Sequence, residues 1–143
     1  MKHVLEQYID LVKEKEEVSN RIMRLKEKLN RINTEGNVKD AVRGGSGGLQ
    51  TFHINGFPMA EYEETNYLLN KNIRILKERE QQIAEKLVSV DEYLNTLDDS
   101  RMRRMIIKRY IEGKRWVQVA HEMGKQYTED ACRVQMKRFF ENL

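Results

Sequence analysis

The sequence predicts an all-α protein: a long antiparallel helical hairpin, coiled-coil in character, followed by a compact three-helix end. Three observations predict this. Apolar residues recur every seven positions over 1–32 and again over 62–97. The period then changes after Leu97. A single proline in 143 residues leaves long helices uninterrupted, and 34% charged against 39% hydrophobic residues is the balance of helices with one buried seam and wide solvated faces.

The first run is Val4, Tyr8, Leu11, Lys15, Val18, Ile22, Leu25, Leu29 and Ile32, spaced alternately four and three apart. The second is Tyr62, Asn66, Leu69, Ile73, Leu76, Glu80, Ile83, Leu87, Val90, Leu94 and Leu97. Such spacing over four or more heptads specifies a supercoiled pair of helices rather than a lone surface helix, and the intervening Glu, Lys, Arg and Gln suit the solvated faces.

Between the runs, Asn33 to Ala60 lacks helical periodicity. Its "RGGSGG" (Arg43–Gly48) disfavours a helix, since each glycine costs about 1 kcal/mol there. "QTFHINGFP" (Gln50–Pro58) alternates as a short strand ending in an Asn-Gly turn. The expectation is a flexible reversal capped by a small ribbon, longer than an ordinary helix–helix turn. Folding the helices back on each other with partner numbers summing to 98 pairs Val4 with Leu94, Leu25 with Ile73 and Leu29 with Leu69. The polar positions Lys15 and Glu80 then fall in adjacent layers and read as a register device. A register one heptad away, or a dimer through the same seams, satisfies the pattern as well.

After Leu97, Asp98, Asp99 or Ser100 is an N-cap for a helix with Met102, Ile106, Tyr110 and Ile111 inside, closed by Gly113. A second helix, Arg115 to Met123, buries Trp116, Val119, Ala120 and Met123, and Gly124 stands where a left-handed residue closes it. Thr128 caps a third helix with Cys132, Met136, Phe139, Phe140 and Leu143 inside. Ala120 is small enough for a close helix crossing, and Gly124 turns the chain within a few residues. That is the helix-turn-helix arrangement, in which the second helix protrudes far enough to enter a major groove. Its outer face carries Asp130, Arg133, Val134, Lys137, Arg138 and Glu141. Val134 on that face is suited to a thymine methyl, although a plain three-helix bundle with a solvated face has the same spacing.

Charge points the same way. From Asp98 to Leu143 there are 11 Lys and Arg against 7 Asp and Glu, a net of +4, whereas the preceding residues hold 15 against 16. A basic excess confined to one end suits a polyanion. No Walker loop, nucleophile elbow or metal cluster appears, and His3, His53 and His121 have no ligand spacing. Neither an enzyme nor a cofactor or metal is expected. Cys132 is the only cysteine, no apolar run approaches the roughly 18 residues of a membrane span, and the first residues alternate in charge. The expectation is a cytoplasmic protein with no membrane partner, as a monomer or homodimer.

"RRMIIKRYIEGKRWVQVAHEMGKQYTEDACRVQMKRF" (Arg103–Phe139) resembles region four of bacterial sigma factors. The matching features are the Arg-Tyr-x-Glu-Gly helix end, the Val-Ala pair, Met-Gly at the turn and Thr opening the last helix. The heptad-rich part joined to this domain resembles phage-encoded regulators of the RinA and ArpU type, and "VKDAVRGGSGGLQTFHINGF" (Val38–Phe57) is similar to the connection in such proteins. The resemblance implies two domains: a coiled-coil hairpin over 1–97 with its connection at 33–60, and a helix-turn-helix domain over 98–143. It implies that the residues after Thr128, namely Glu129, Asp130, Arg133 and Val134, meet base edges. Sigma factors commonly place a base and then an acid after that threonine; here Glu129 stands in the first place and Asp130 in the second.

Lys114, Arg115 and Lys125 flank the turn and suit phosphate contacts, and Lys137 and Arg138, one turn beyond Arg133, suit the backbone. The implied partners are double-stranded DNA and host RNA polymerase, in a regulator that activates late phage genes. The alternative is a DNA-binding packaging or assembly adaptor such as a small terminase subunit, which also joins a helix-turn-helix to a helical oligomerisation element.

Overall fold

The computed structural model describes residues 1–44 and 56–143. Its helices are α1 (Lys2–Gly44), α2 (Met59–Asn95), α3 (Ser100–Ile106), α4 (Trp116–Met123) and α5 (Glu129–Glu141). A π-helical turn, Ile107–Ile111, continues α3. The protein is all-α, with α1 packed against α2 as a hairpin, and there is no strand among the described residues. The expected ribbon over Gln50–Pro58 lies mostly outside them, as do Gly45 to Gly48.

α1 does not stop at Ile32 but continues through the segment read as irregular, to Gly44. Gly36 shows why one helix breaker fails to break it. The residue is buried, and a Cβ built there would lie 2.6 Å from Cδ2 of Phe57. Close packing of the Phe57 ring thus offsets the roughly 1 kcal/mol propensity cost of glycine. Phe57 also lies 5.7 Å from the Tyr62 ring, at the N′ and N4 places around Pro58, a hydrophobic staple that fixes the start of α2.

The chain divides into two compact units, Lys15–Arg79 and Met1–Glu14 with Glu80–Leu143. In the first, Val18, Ile22 and Leu69 form a buried cluster flanked by half-buried Leu25, Leu29, Ile73, Ile75 and Leu76. The cluster holds partners from both registers, since Ile22 and Leu69 sum to 91 while Leu29 with Leu69 and Ile22 with Leu76 sum to 98. The Lys28–Glu61 ion pair at 3.8 Å and the Gly36–Phe57 approach belong to the first of these. The seam on α2 is accordingly Thr65, Leu69 and Asn72, all buried, with Asn72 Nδ2 donating to the Leu68 carbonyl at 2.8 Å. Lys15 is half-buried and Glu80 exposed.

In the second unit the three short helices share one core with the ends of the long ones. Leu5, Val90 and Leu94 are buried in the same cluster as Met102, Met105, Ile106, Val119, Ala120, Met123, Cys132 and Met136. Asp99 is the cap of α3, its Oδ1 accepting from the Arg101 and Met102 amides at 2.9 and 3.3 Å. The π-turn is closed by Glu112 N donating to Ile107 O at 2.8 Å, and Gly113 leaves it at φ 70°, where a Cβ would be strained. Met105 is buried on the same α-helical face as Met102 and Ile106, and Tyr110 and Ile111, in the wider turn, are only half-buried. Tyr110 meets Phe140 edge-to-face at 5.9 Å, and burial pushes its phenol upward in pKa. Leu143, expected inside, is 68% exposed because α5 ends at Glu141.

Candidate nucleic-acid interface

α4 and α5 are set by their caps. Arg115 opens α4, and its amide donates to Gln118 Oε1 at 3.0 Å. An arginine side chain has no acceptor, so only this half of a capping box forms. Gly124 closes α4 with its amide on Ala120 O at 3.3 Å. Its φ of 134° and ψ of 168° are not the left-handed helical values expected, but an extended conformation of positive φ that is essentially reserved to glycine. The chain therefore leaves α4 extended and re-enters a helix at Thr128, whose Oγ1 accepts from Ala131 N at 3.1 Å. Ala120 is buried at the crossing, as its size requires.

One side of α5 is sealed by Cys132 and Met136, with Phe139 and Phe140 half-buried beside them. Burial raises the Cys132 thiol pKa, which keeps it neutral and unreactive. The opposite side brings together Asp130, Arg133, Val134, Lys137 and Arg138, all exposed. Val134 is 43% exposed, an apolar side chain standing among charges.

The charges on that side are not independent. Arg133 Nη2 lies 2.5 Å from Glu129 Oε1 and Nη1 lies 3.3 Å from Asp130 Oδ1, so α5 neutralises its own central arginine. Lys137 lies 3.9 Å from Glu141. Lys114 is held by Glu112 at 2.7 Å and Glu122 at 2.6 Å, and Lys108 also approaches Glu122, at 3.7 Å. Hydrogen bonds donated to these carboxylates raise the Lys114 pKa, and the Lys114 bond lowers that of Glu122. Lys114 thus lashes the π-turn to α4, a structural role that competes with the phosphate contact expected of it. Arg109 completes this lashing, stacking 5.0 Å from the Trp116 ring and donating to Lys114 O at 3.0 Å.

Arg115 and Lys125 are exposed at the two ends of α4, and Arg138 is exposed on α5. None of these three has an ion pair or side-chain hydrogen bond among the described residues. Arg101 is not singled out by the sequence, yet its Nη1 donates to Tyr127 Oη at 3.3 Å, beside the start of α5. Arg104, also missed, is exposed and reaches the Glu122 carbonyl at 3.5 Å. The run "SRMRR" (Ser100–Arg104), three arginines within the first turns of a capped helix, is the signal that carries both.

No protein-family model, no curated protein and no solved structure matches the chain. No helix among the described residues is long and apolar enough to cross a membrane, and those residues hold no group of three or more His, Cys, Asp or Glu placed for a metal.

Proposed function

We propose that the protein is a sequence-specific DNA-binding transcription regulator, a phage late-gene activator whose α5 enters the major groove. The observation that carries this reading is the exposed side of α5, where Val134 stands between Arg133 and Lys137 on a helix set off by the extended turn at Gly124. An apolar contact for a thymine methyl beside a guanidinium for guanine O6 and N7 is the chemistry of a base-reading face. The ion pairs of Arg133 are compatible with this, because exposed pairs are worth only about 0–1 kcal/mol and exchange readily for a base edge. The resemblance of Arg103–Phe139 to sigma region four supports the reading and brings host RNA polymerase in as the machinery acted upon. The protein works in the bacterial cytoplasm, binds double-stranded DNA as a monomer or homodimer, and is not an enzyme.

Footprinting on DNA beside its own gene tests the proposal. A protected site is expected, at which Arg133→Ala weakens binding by about 1–3 kcal/mol and relaxes preference at one base pair. A folded Arg133→Ala/Val134→Asn variant that keeps both affinity and preference sinks it, and α5 is then an ordinary solvated helix.

A further inference from the structure

We propose that Arg101 of α3 and Arg138 of α5, which line one depression, together hold a phosphate strand alongside α5. The inference builds on the DNA-binding reading above and adds Arg101, which the sequence does not single out, to the backbone contact expected of Arg138.

A phosphate contact needs a cation whose charge is not already matched. Of the cations from Asp98 onward, Lys108, Lys114, Arg133 and Lys137 all meet carboxylates, while Arg115 and Lys125 are unmatched but stand at the ends of α4, outside the depression that Arg101 lines. Arg103 is turned inward, with Nη1 on the Leu97 carbonyl and Nη2 on Ser100 Oγ at 2.7 Å. Arg101 is different. Its partner is the neutral Tyr127 phenol, which fixes the guanidinium without cancelling its charge. The neighbouring carboxylate of Asp99 already accepts two backbone amides as the cap of α3.

Arg138 lines the same depression, whose other walls are Asp99, Gln135, Met102, Met105 and Phe139. Met102, Met105 and Phe139 offer no acceptor to either arginine, the one carboxylate in the lining is Asp99, whose Oδ1 is engaged by the two amides of the α3 cap, and Gln135 adds a neutral amide. Two guanidinium groups present planar forks that match phosphate oxygens in pairs, as ammonium groups do not. The position also fits. Tyr127 immediately precedes the cap of α5, so Arg101 is anchored at the flank of the groove-entering helix, where the strand bordering a groove must pass.

The test needs no knowledge of the operator. Affinity for a mixed-sequence duplex about two helical turns long (roughly 20 base pairs) is measured by anisotropy across a range of salt. Removing one cation from a phosphate lowers the slope of log affinity against log salt by about 0.9. Arg101→Gln and Arg138→Gln are each expected to lower it by about one, and the double variant by about two. Arg101→Lys keeps the charge and is expected to retain the parental slope, as is Lys114→Gln, whose charge is already matched. Tyr127→Phe separates anchoring from charge: affinity falls slightly and the slope stays.

Circular dichroism confirms that each variant is folded. A folded double variant with the parental slope overturns this assignment while leaving the DNA reading intact. Failure of the parent to bind any duplex overturns both.

Discussion

Arg133 and Glu129 are joined by a 2.5 Å ion pair, one turn apart on the helix proposed to read DNA. The acid at 129 therefore works against non-specific binding twice, by matching Arg133 and by repelling phosphate. Glu129→Gln should tighten binding to a mixed-sequence duplex by a few-fold, on the order of 0.5–1 kcal/mol, and should narrow the preference for the footprinted site. The helix itself should survive, because its first-turn amide at Ala131 is bonded by Thr128. Anisotropy titrations on the two duplexes check this. Unchanged affinity would mean that the pair is not in competition with DNA.

The register of the hairpin is open to a direct check. Ile22 and Leu69 share a buried cluster, so the Ile22→Cys/Leu69→Cys variant should form an intramolecular disulfide under mild oxidation. Leu29→Cys/Leu69→Cys, paired in the register one heptad away, should crosslink poorly. Cys132 is buried and does not compete. Mass and mobility of the oxidised monomer decide between the two, and efficient crosslinking of the second pair alone would restore the 98-sum register.

What the sequence made legible follows from how local each signal is. Heptad spacing, the Asp99 and Thr128 caps and the positive-φ glycines at 113 and 124 act within a turn or two, and the helices lie where those residues put them. Register was not legible, because sliding by seven residues preserves every a and d pairing; only Lys28–Glu61 and the fit of Phe57 over Gly36 distinguish the choices. The continuation of α1 past Ile32 was hidden for the same reason, since what tolerates Gly36 lies 21 positions away. Leu5 is buried by elements distant in sequence, and Met105 lies at i+3 from Met102 beside the Ile106 that the spacing already placed inside. On the candidate site, composition shows which residues carry charge but not which charges are already matched. Lys114 therefore reads as available in the sequence, and Arg101 does not stand out.

The Lys114–Glu122 pair predicts a pH dependence with a definite sign. Glu122 is depressed below its ordinary value near 4.5, chiefly by the Lys114 hydrogen bond. Its contribution is therefore complete above that ordinary value and is lost as pH falls through the lower folded value. Lys114 is raised above its ordinary 10.5, chiefly by Glu112, so its contribution is complete below 10.5 and fades only in stronger alkali. Glu122→Gln should accordingly lower the melting temperature at neutral pH, and the gap to the parent should close on acidification below the carboxylate range. A gap that stays constant with pH would assign the effect to packing and not to charge.

Leu5 gives the least intuitive prediction, since a residue at the start of α1 is fully buried within the core of the three-helix end. Replacing such a side chain by alanine removes its transfer free energy and leaves a cavity, at a cost of about 2–5 kcal/mol. Leu5→Ala should therefore destabilise α3 to α5, and not merely fray the first turn of α1. Trp116 is the only tryptophan and packs against that core from α4, which makes its fluorescence a reporter for this part of the chain alone. The Trp116 transition should move down by several degrees, roughly 2–4 °C per kcal/mol for a chain approaching this size. Val12→Ala, on the same helix but at a 40% exposed position, should leave it within about 0.5 kcal/mol of the parent. Affinity for a mixed-sequence duplex should then fall in step with the Trp116 transition as temperature rises, because Arg101 and Arg138 are held together only while α3 and α5 are packed. If Leu5→Ala lowers the helix signal but leaves the Trp116 transition unmoved, the three short helices hold together without α1.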